Sequence, residues 1–311
     1  MRAISIGARA ALGAGMLIAC ACNSLDAPDQ NAISLTGLTQ APTVASVTGA
    51  TQDLLAGMRS DAATIISTFG QFGREGYDLD PGNLQFVQEY FVSLGDVSIW
   101  NNPYRTIELA DLVLTAVDGV PAFTAGQQEG IRGFAMTVKA MELLTVIRCV
   151  DASGAAIDVA SGPTATLPPI EAKNDVYAYV AQLLDSAQTH LQAAGGTFAF
   201  NLGAGFVGFN TPATFLQFNR ALRARADIDV GAFADALTDL QGSFLSTSQP
   251  LSYGPFNTFS TASGDAQNTL YEAQPRVWYA HPSLVQDAQH KPDDTPDNRV
   301  LAKLKQIPSI T

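Results

Sequence analysis

Basic residues are scarce in this chain: 17 lysines and arginines stand against 29 aspartates and glutamates, for a formal net charge of −12 with histidine neutral. Nothing in that balance supplies a basic surface able to release counterions from a phosphate backbone, so nucleic acid is not expected as a partner. Charge of either sign is thin, at 15% of residues. Cysteine is limited to Cys20, Cys22 and Cys149, too few for a disulfide framework, so the fold depends on its apolar core. The three histidines, His190, His281 and His290, do not sit at metal-ligand spacing. There is no GxSxG, HExxH or phosphate-loop motif. Two carboxylates for glycoside hydrolysis can be imagined among 29 acids, but no spacing positions a pair. Neither catalysis nor a bound cofactor or metal is expected.

What the chain has is apolar mass, 47% of 311 residues with 16 phenylalanines, enough for one large core or two small ones. Its first residues read as a leader. Arg2 and Arg9 precede a short apolar run over 10–19, too short to span a bilayer, and Leu17-Ile18-Ala19-Cys20 resembles a bacterial lipobox. Residues 1–19 then read as a lipoprotein signal peptide, with Cys20 taking the lipid that anchors the chain to a membrane. Cys22 competes as acceptor, but Ala19 and Cys20 fit the positions before it less well. Residues 20–50, rich in Ser, Thr, Asp, Pro and Ala, read as a tether, and 51–311 as the folded part.

Helical periodicity organises that folded part. Leu55, Met58, Ala62, Ile65 and Phe69 step by three and four from near Thr51. Glycine and acid then dominate 70–83, where Glu75, Asp78 and Asp80 offer either a Ca²⁺ site or solvated carboxylates; the spacing is not that of an EF-hand. Asn102-Pro103 reads as the start of a helix with Tyr104, Ile107, Ala110 and Leu114 on one face, and a further helix covers 129–148. A Gly, Ser, Thr and Pro linker over 151–169 leads to a helix from Asn174, with Val176, Val180, Leu183, Ala187 and Leu191 buried and Gly195-Gly196 as its stop. Thr211-Pro212 caps a helix carrying Phe215, Phe218 and Leu222, with Arg220, Arg223 and Arg225 on its other face. After Gly231 a short helix repeats the pattern with Phe233, Ala234, Leu237 and Leu240. A hairpin of this kind cannot bury both stripes alone and stacks on others, as tetratricopeptide units do.

Several of these segments resemble, in order, the SusD/RagB family of outer-membrane lipoproteins. Ala221-Leu222-Arg223-Ala224-Arg225 with Phe233-Ala234-Asp235-Ala236-Leu237 is similar to its helical hairpin. Tyr104, Ile107, Ala110 and Asp111 fit its Tyr-x-x-Ile-x-x-Ala-Asn pattern with Asp for Asn. The 129–148 helix is similar to its signature helix, keeping Arg132 but placing Gly133 where alanine is usual and Lys139-Ala140-Met141 where Tyr-Phe is. The resemblance implies a mostly α fold, a tetratricopeptide-like helical hairpin array with an irregular, loop-rich C-terminal part. It also implies a cell-surface, lipid-anchored outer-membrane protein that captures an oligomeric nutrient, most often a glycan, and hands it to a SusC-like TonB-dependent transporter. Family members continue beyond residue 311, which implies an incomplete C-terminus.

No fixed binding motif comes with the resemblance, so ligand candidates rest on composition. Trp100, Tyr253, Trp278 and Tyr279 are the aromatic residues suited to stack on sugar C–H faces, and each is equally suited to packing under a loop. Two further readings stay open: a helical protein-binding scaffold and a secreted glycan-active hydrolase.

Overall fold

The computed structural model describes residues 35–60, 62–73, 75–78, 99–159, 166–250, 252–261, 268, 270–271 and 278–304. Cys20, Cys22 and Asp80 lie outside these residues, as do the side chains of Asp78 and Trp278. The chain is mostly helical, and it begins folding earlier than its composition suggests. Helices α1 (Leu35–Gln40) and α2 (Val44–Ser60) occupy the second half of the expected tether. Leu38, Val47, Ala50 and Leu54 are sealed in the core there. Small residues lower the apparent hydropathy of that stretch while still filling a close helix contact, so composition alone reads it as linker.

Helix α3 (Ala62–Phe72) follows, then strand β1 (Gly76–Asp78). The stripe expected to run on through Ala62, Ile65 and Phe69 does not become core: Ala63 and Thr68 are buried, and Phe69 stays 42% exposed. The periodicity continues across Ser60, but α2 and α3 are separate helices, so the two halves of the stripe face different surroundings.

The centre of the molecule is an ordered stack: α4 (Asn101–Ala116), α5 (Ala125–Arg148), α6 (Lys173–Ala193), α7 (Pro212–Asp229) and α8 (Phe233–Gln241), each packed on the next. Cross-links between neighbours show antiparallel pairing. Lys139 of α5 meets Asp111 of α4 at 2.7 Å, and Arg132, nearer the start of α5, meets Asp118 just past the end of α4. Gly195, after α6, donates to the carbonyl of Gly126 at the start of α5. This is the expected hairpin array.

Local signals set the helix ends. Thr124 and Gln127 form a reciprocal capping box for α5, and Thr211 and Thr214 do the same for α7, with Pro212 in the first position, where no N–H is needed. α4 starts at Asn101, one residue before the expected Asn102 cap would release it, and Pro103 sits within its first turn. α5 is the innermost element: Ile131, Phe134, Val138, Leu143 and Ile147 have no exposed surface. Each such side chain contributes roughly 1.5–3 kcal/mol by leaving water. Its Gly133 lies against α6, where an added Cβ would fall 2.6 Å from Leu191 Cγ and 3.0 Å from the Ala187 carbonyl oxygen. The missing methyl lets the two helices approach, which accounts for glycine where the resembling helix has alanine.

The glycine-interrupted segment 198–210 folds back as a cover. Phe198 and Phe200 pack on Phe134 at ring separations of 6.2 and 4.9 Å, and Phe206 reaches Phe215 at 6.0 Å. Beyond α8 the described chain is largely irregular, with strand β2 (Trp278–Ala280), one-turn helix α9 (Ser283–Gln286) and helix α10 (Asn298–Lys303). β2 pairs antiparallel with β1 in the register Gly76 with Ala280, Tyr77 with Tyr279 and Asp78 with Trp278.

Two expectations about α7 and α8 are corrected. Arg220 is not on an outer face: it is 5% exposed and its five N–H donors are all used. They go to Asp185, Asp239, the Leu184 carbonyl and, twice, Asn219, at 2.7–3.0 Å. In α8 it is Ala236 that packs inward, while Phe233 and Leu237 are each 65% exposed. α8 rests mainly on α7 among the described helices, so the narrow face holding Ala236 is the one covered.

Candidate functional site

The aromatic candidates fall in different places. Trp100 ends the approach to α4, its carbonyl accepting the Tyr104 N–H at 3.1 Å, and its indole is half-buried against the cluster containing Ile107, Ala140 and Val176. Tyr253 is 40% exposed and lies on Phe209 and Phe244, with ring separations of 5.4 and 6.3 Å, so it packs against the other cluster. Trp278 and Tyr279 stand in the β1–β2 ribbon, in register with Asp78 and Tyr77. Four residues chosen by type thus occupy three settings, and no recess gathers them.

Trp100 does line a recess, of about 600 Å³, with Asn101, Asn102, Tyr104, Arg105, Glu108 and Val159. The first two turns of α4 build it: positions 101, 104, 105 and 108 share one helix face by their spacing. Tyr104 Oη donates to the Ala156 carbonyl at 3.0 Å, fixing the ring. Burial pushes its hydroxyl above the usual tyrosine range, and the bond to Ala156 opposes that in part. Arg105 and Glu108 bring a donor fork and an acceptor pair to the opening. An indole beside amide, guanidinium and carboxylate groups is the set that holds a sugar ring by its C–H face and its hydroxyls together. Sequence reasoning found Trp100 and missed its neighbours; the signal was their shared spacing on the helix.

A larger cleft, of about 700 Å³, opens elsewhere between α3, α5, α7 and the loop around Phe256. Phe69, Phe206, Phe218, Phe256, Arg148, Arg225 and Cys149 are among its lining residues. Phe218 and Arg225 read in sequence as core and solvated face; here they border one opening. Burial raises the Cys149 thiol above its ordinary value, partly offset by Arg148.

Glu75 and Asp78, the two described members of the possible Ca²⁺ set, are placed by the ribbon: the Glu75 carbonyl accepts the His281 N–H at 3.1 Å, and Asp78 pairs with Trp278. Among the described residues no three His, Cys, Asp or Glu side chains converge as metal ligands. No described helix is long and apolar enough to cross a membrane.

No protein-family model matches the chain, and no curated protein matches it. Among solved structures it is similar to a SusD superfamily protein from Bacteroides thetaiotaomicron VPI-5482, at 14% identity and a TM-score of 0.47, over 63% of this chain and 45% of that one. It is also similar to a SusD/RagB family protein of the same organism, at 17% identity and a TM-score of 0.44, over 64% of this chain and 43% of that one. Both carry the SusD name. The chain spans less than half the length of either.

Proposed function

We propose that this chain is a cell-surface binding lipoprotein of the SusD/RagB kind, which captures an oligomeric nutrient, a glycan first, and passes it to a TonB-dependent outer-membrane transporter without breaking a bond in it. The recess at Trp100 carries the reading: a half-buried aromatic face with Asn101, Asn102, Arg105 and Glu108 around it suits a polyhydroxylated ring. Anchoring would come from lipid on Cys20, and Tyr253, Trp278 and Tyr279 would extend contact with a longer ligand. Calorimetry of the full chain against neutral oligosaccharides and peptides tests capture. Saturable binding without turnover, weakened about tenfold or more by Trp100→Ala through loss of a stacking and hydrogen-bonding platform, is the expected result. Cleavage of the ligand, or binding indifferent to Trp100, defeats it. Replacing Cys20 with alanine is expected to release the protein from the membrane fraction.

A second reading, a protein-binding scaffold, is favoured by the uncovered apolar end of the array, where Ile228, Val230, Phe233 and Leu237 are 49–65% exposed. The two readings are compatible, since a transporter is itself a protein partner.

A further inference from the structure

The 700 Å³ cleft shares no lining residue with the recess at Trp100. Its two long walls are apolar. Ile65, Ile66 and Phe69 line it from α3, and Met141, Phe218 and Phe256 from the other side. Ile66 is 59% and Phe69 42% exposed, and α3 packs mainly on α2 and β1 among the described elements. Apolar side chains held apart across an opening of that size leave a continuous face that water solvates poorly.

The polar groups at the opening are few and mostly spoken for. Arg148 Nε lies 3.2 Å from Asp229, and Glu142 is 4% exposed within the α5 wall. Arg225 differs: it is exposed and makes no hydrogen bond or ion pair among the described residues. In a chain with 29 acids to 17 bases, Arg132, Arg148, Arg220, Arg223 and Arg299 each have a carboxylate partner, whereas Arg225, like Arg105 at the other recess, has none among the described residues. An unmatched guanidinium beside an apolar cleft is a site for one carboxylate attached to an apolar body.

We propose that this cleft binds an anionic amphiphile, a long-chain carboxylate whose hydrocarbon lies between α3 and the Phe218–Phe256 wall and whose head pairs with Arg225. A volume of this order suits a small ligand. The walls also disfavour an extended peptide. α3, α5 and α7 spend their backbone N–H and C=O groups inside their own helices, so a peptide main chain entering here would lose its water partners and gain none. A methylene chain has no such requirement.

The test titrates the full chain with octanoate, decanoate and dodecanoate, each below its micellar concentration, and with 1-decanol, by calorimetry. One saturable site is expected, tightening roughly fourfold per added methylene as apolar area leaves water. Arg225→Gln is expected to weaken decanoate about tenfold or more and to leave 1-decanol unchanged, because only the charged head loses its hydrogen bonds. Ile66→Asp, at a position 59% exposed, is expected to abolish both. Absence of saturable binding, affinity independent of chain length, or equal binding of decanoate by the wild type and Arg225→Gln each overturns the proposal.

Discussion

Arg220 shows how far a single residue can depart from its local pattern. Sequence alone groups it with Arg223 and Arg225 as solvated, yet it is fixed among Asn219, Asp185, Asp239 and the Leu184 carbonyl, while Asn219 donates on to Thr137 at 2.9 Å and so ties α7 to both α5 and α6. Replacing Arg220 with alanine would strand the Asp239 carboxylate and the Asn219 amide oxygen, while Asp185, half-exposed, would keep Arg223. A loss of about 3–5 kcal/mol, read from urea midpoints at unchanged slope, is expected. Lys139 is 3% exposed and works at the other end of the pH scale. Burial alone would lower its pKa, but the hydrogen bond and charge of Asp111, with Tyr179 beside it, outweigh that and hold it above 10.5. A folded-state pKa raised above the unfolded one gives stability that is full below the unfolded value and disappears as pH rises through the folded one. Urea midpoints should therefore fall in strongly alkaline solution, and less steeply in Lys139→Gln; Tyr104 and Tyr177, also raised by burial, remain in both proteins. Parallel profiles for the two proteins would remove Lys139 from the explanation.

At the level of elements, α6 is the helix whose sequence and structure agree most closely. Val176, Val180, Leu183, Ala187 and Leu191 are all buried as their spacing requires, because α6 is covered on one side by α5 and α7 and wet on the other. α5 defeats the same reasoning: buried around most of its circumference, it carries Lys139 and Glu142 inside along with its leucines and shows no clean stripe. The α5–α6 contact rests on Gly133, and Gly133→Ala should cost about 1–3 kcal/mol by overpacking against Leu191, more than alanine's helix preference of about 1 kcal/mol returns. A thermal midpoint equal to or above that of the wild type would show that α6 can move aside. α8 failed in the opposite sense, its stripe being real but uncovered, since amphipathicity states which face wants a partner and not whether one is present.

Over the whole molecule, the helical array positions two openings of different character, a polar recess on the first turns of α4 and an apolar cleft beside α3. The end of the array beyond α8 offers a direct check on that architecture. If Phe233 and Leu237 are as exposed as they stand, Phe233→Ser with Leu237→Ser should change unfolding stability by no more than roughly 0.5 kcal/mol per site. A loss of several kcal/mol would mean that other parts of the protein cover this face in solution. Aromatic candidates chosen by type were scattered over the molecule because composition carries no information about distance: Trp100 and Tyr253 belong to separate clusters, and the recess at Trp100 became visible only with the neighbours that α4 places around it.

The sequence by itself determined helices α4 to α8 and, to within a few residues, where they begin and end, because capping residues, prolines and a 3.6-residue apolar period act within a few positions of one another. It also determined the chain's acidity and the aromatic character of the segment after α6. Tertiary structure alone decided that Val47 and Ala50 of the expected tether are core, that Arg220 is inside and Arg225 outside, and that Ile66, Phe69, Phe218 and Phe256 face one opening. Those outcomes depend on which helix lies against which, and packing partners distant in sequence leave no local mark on either segment.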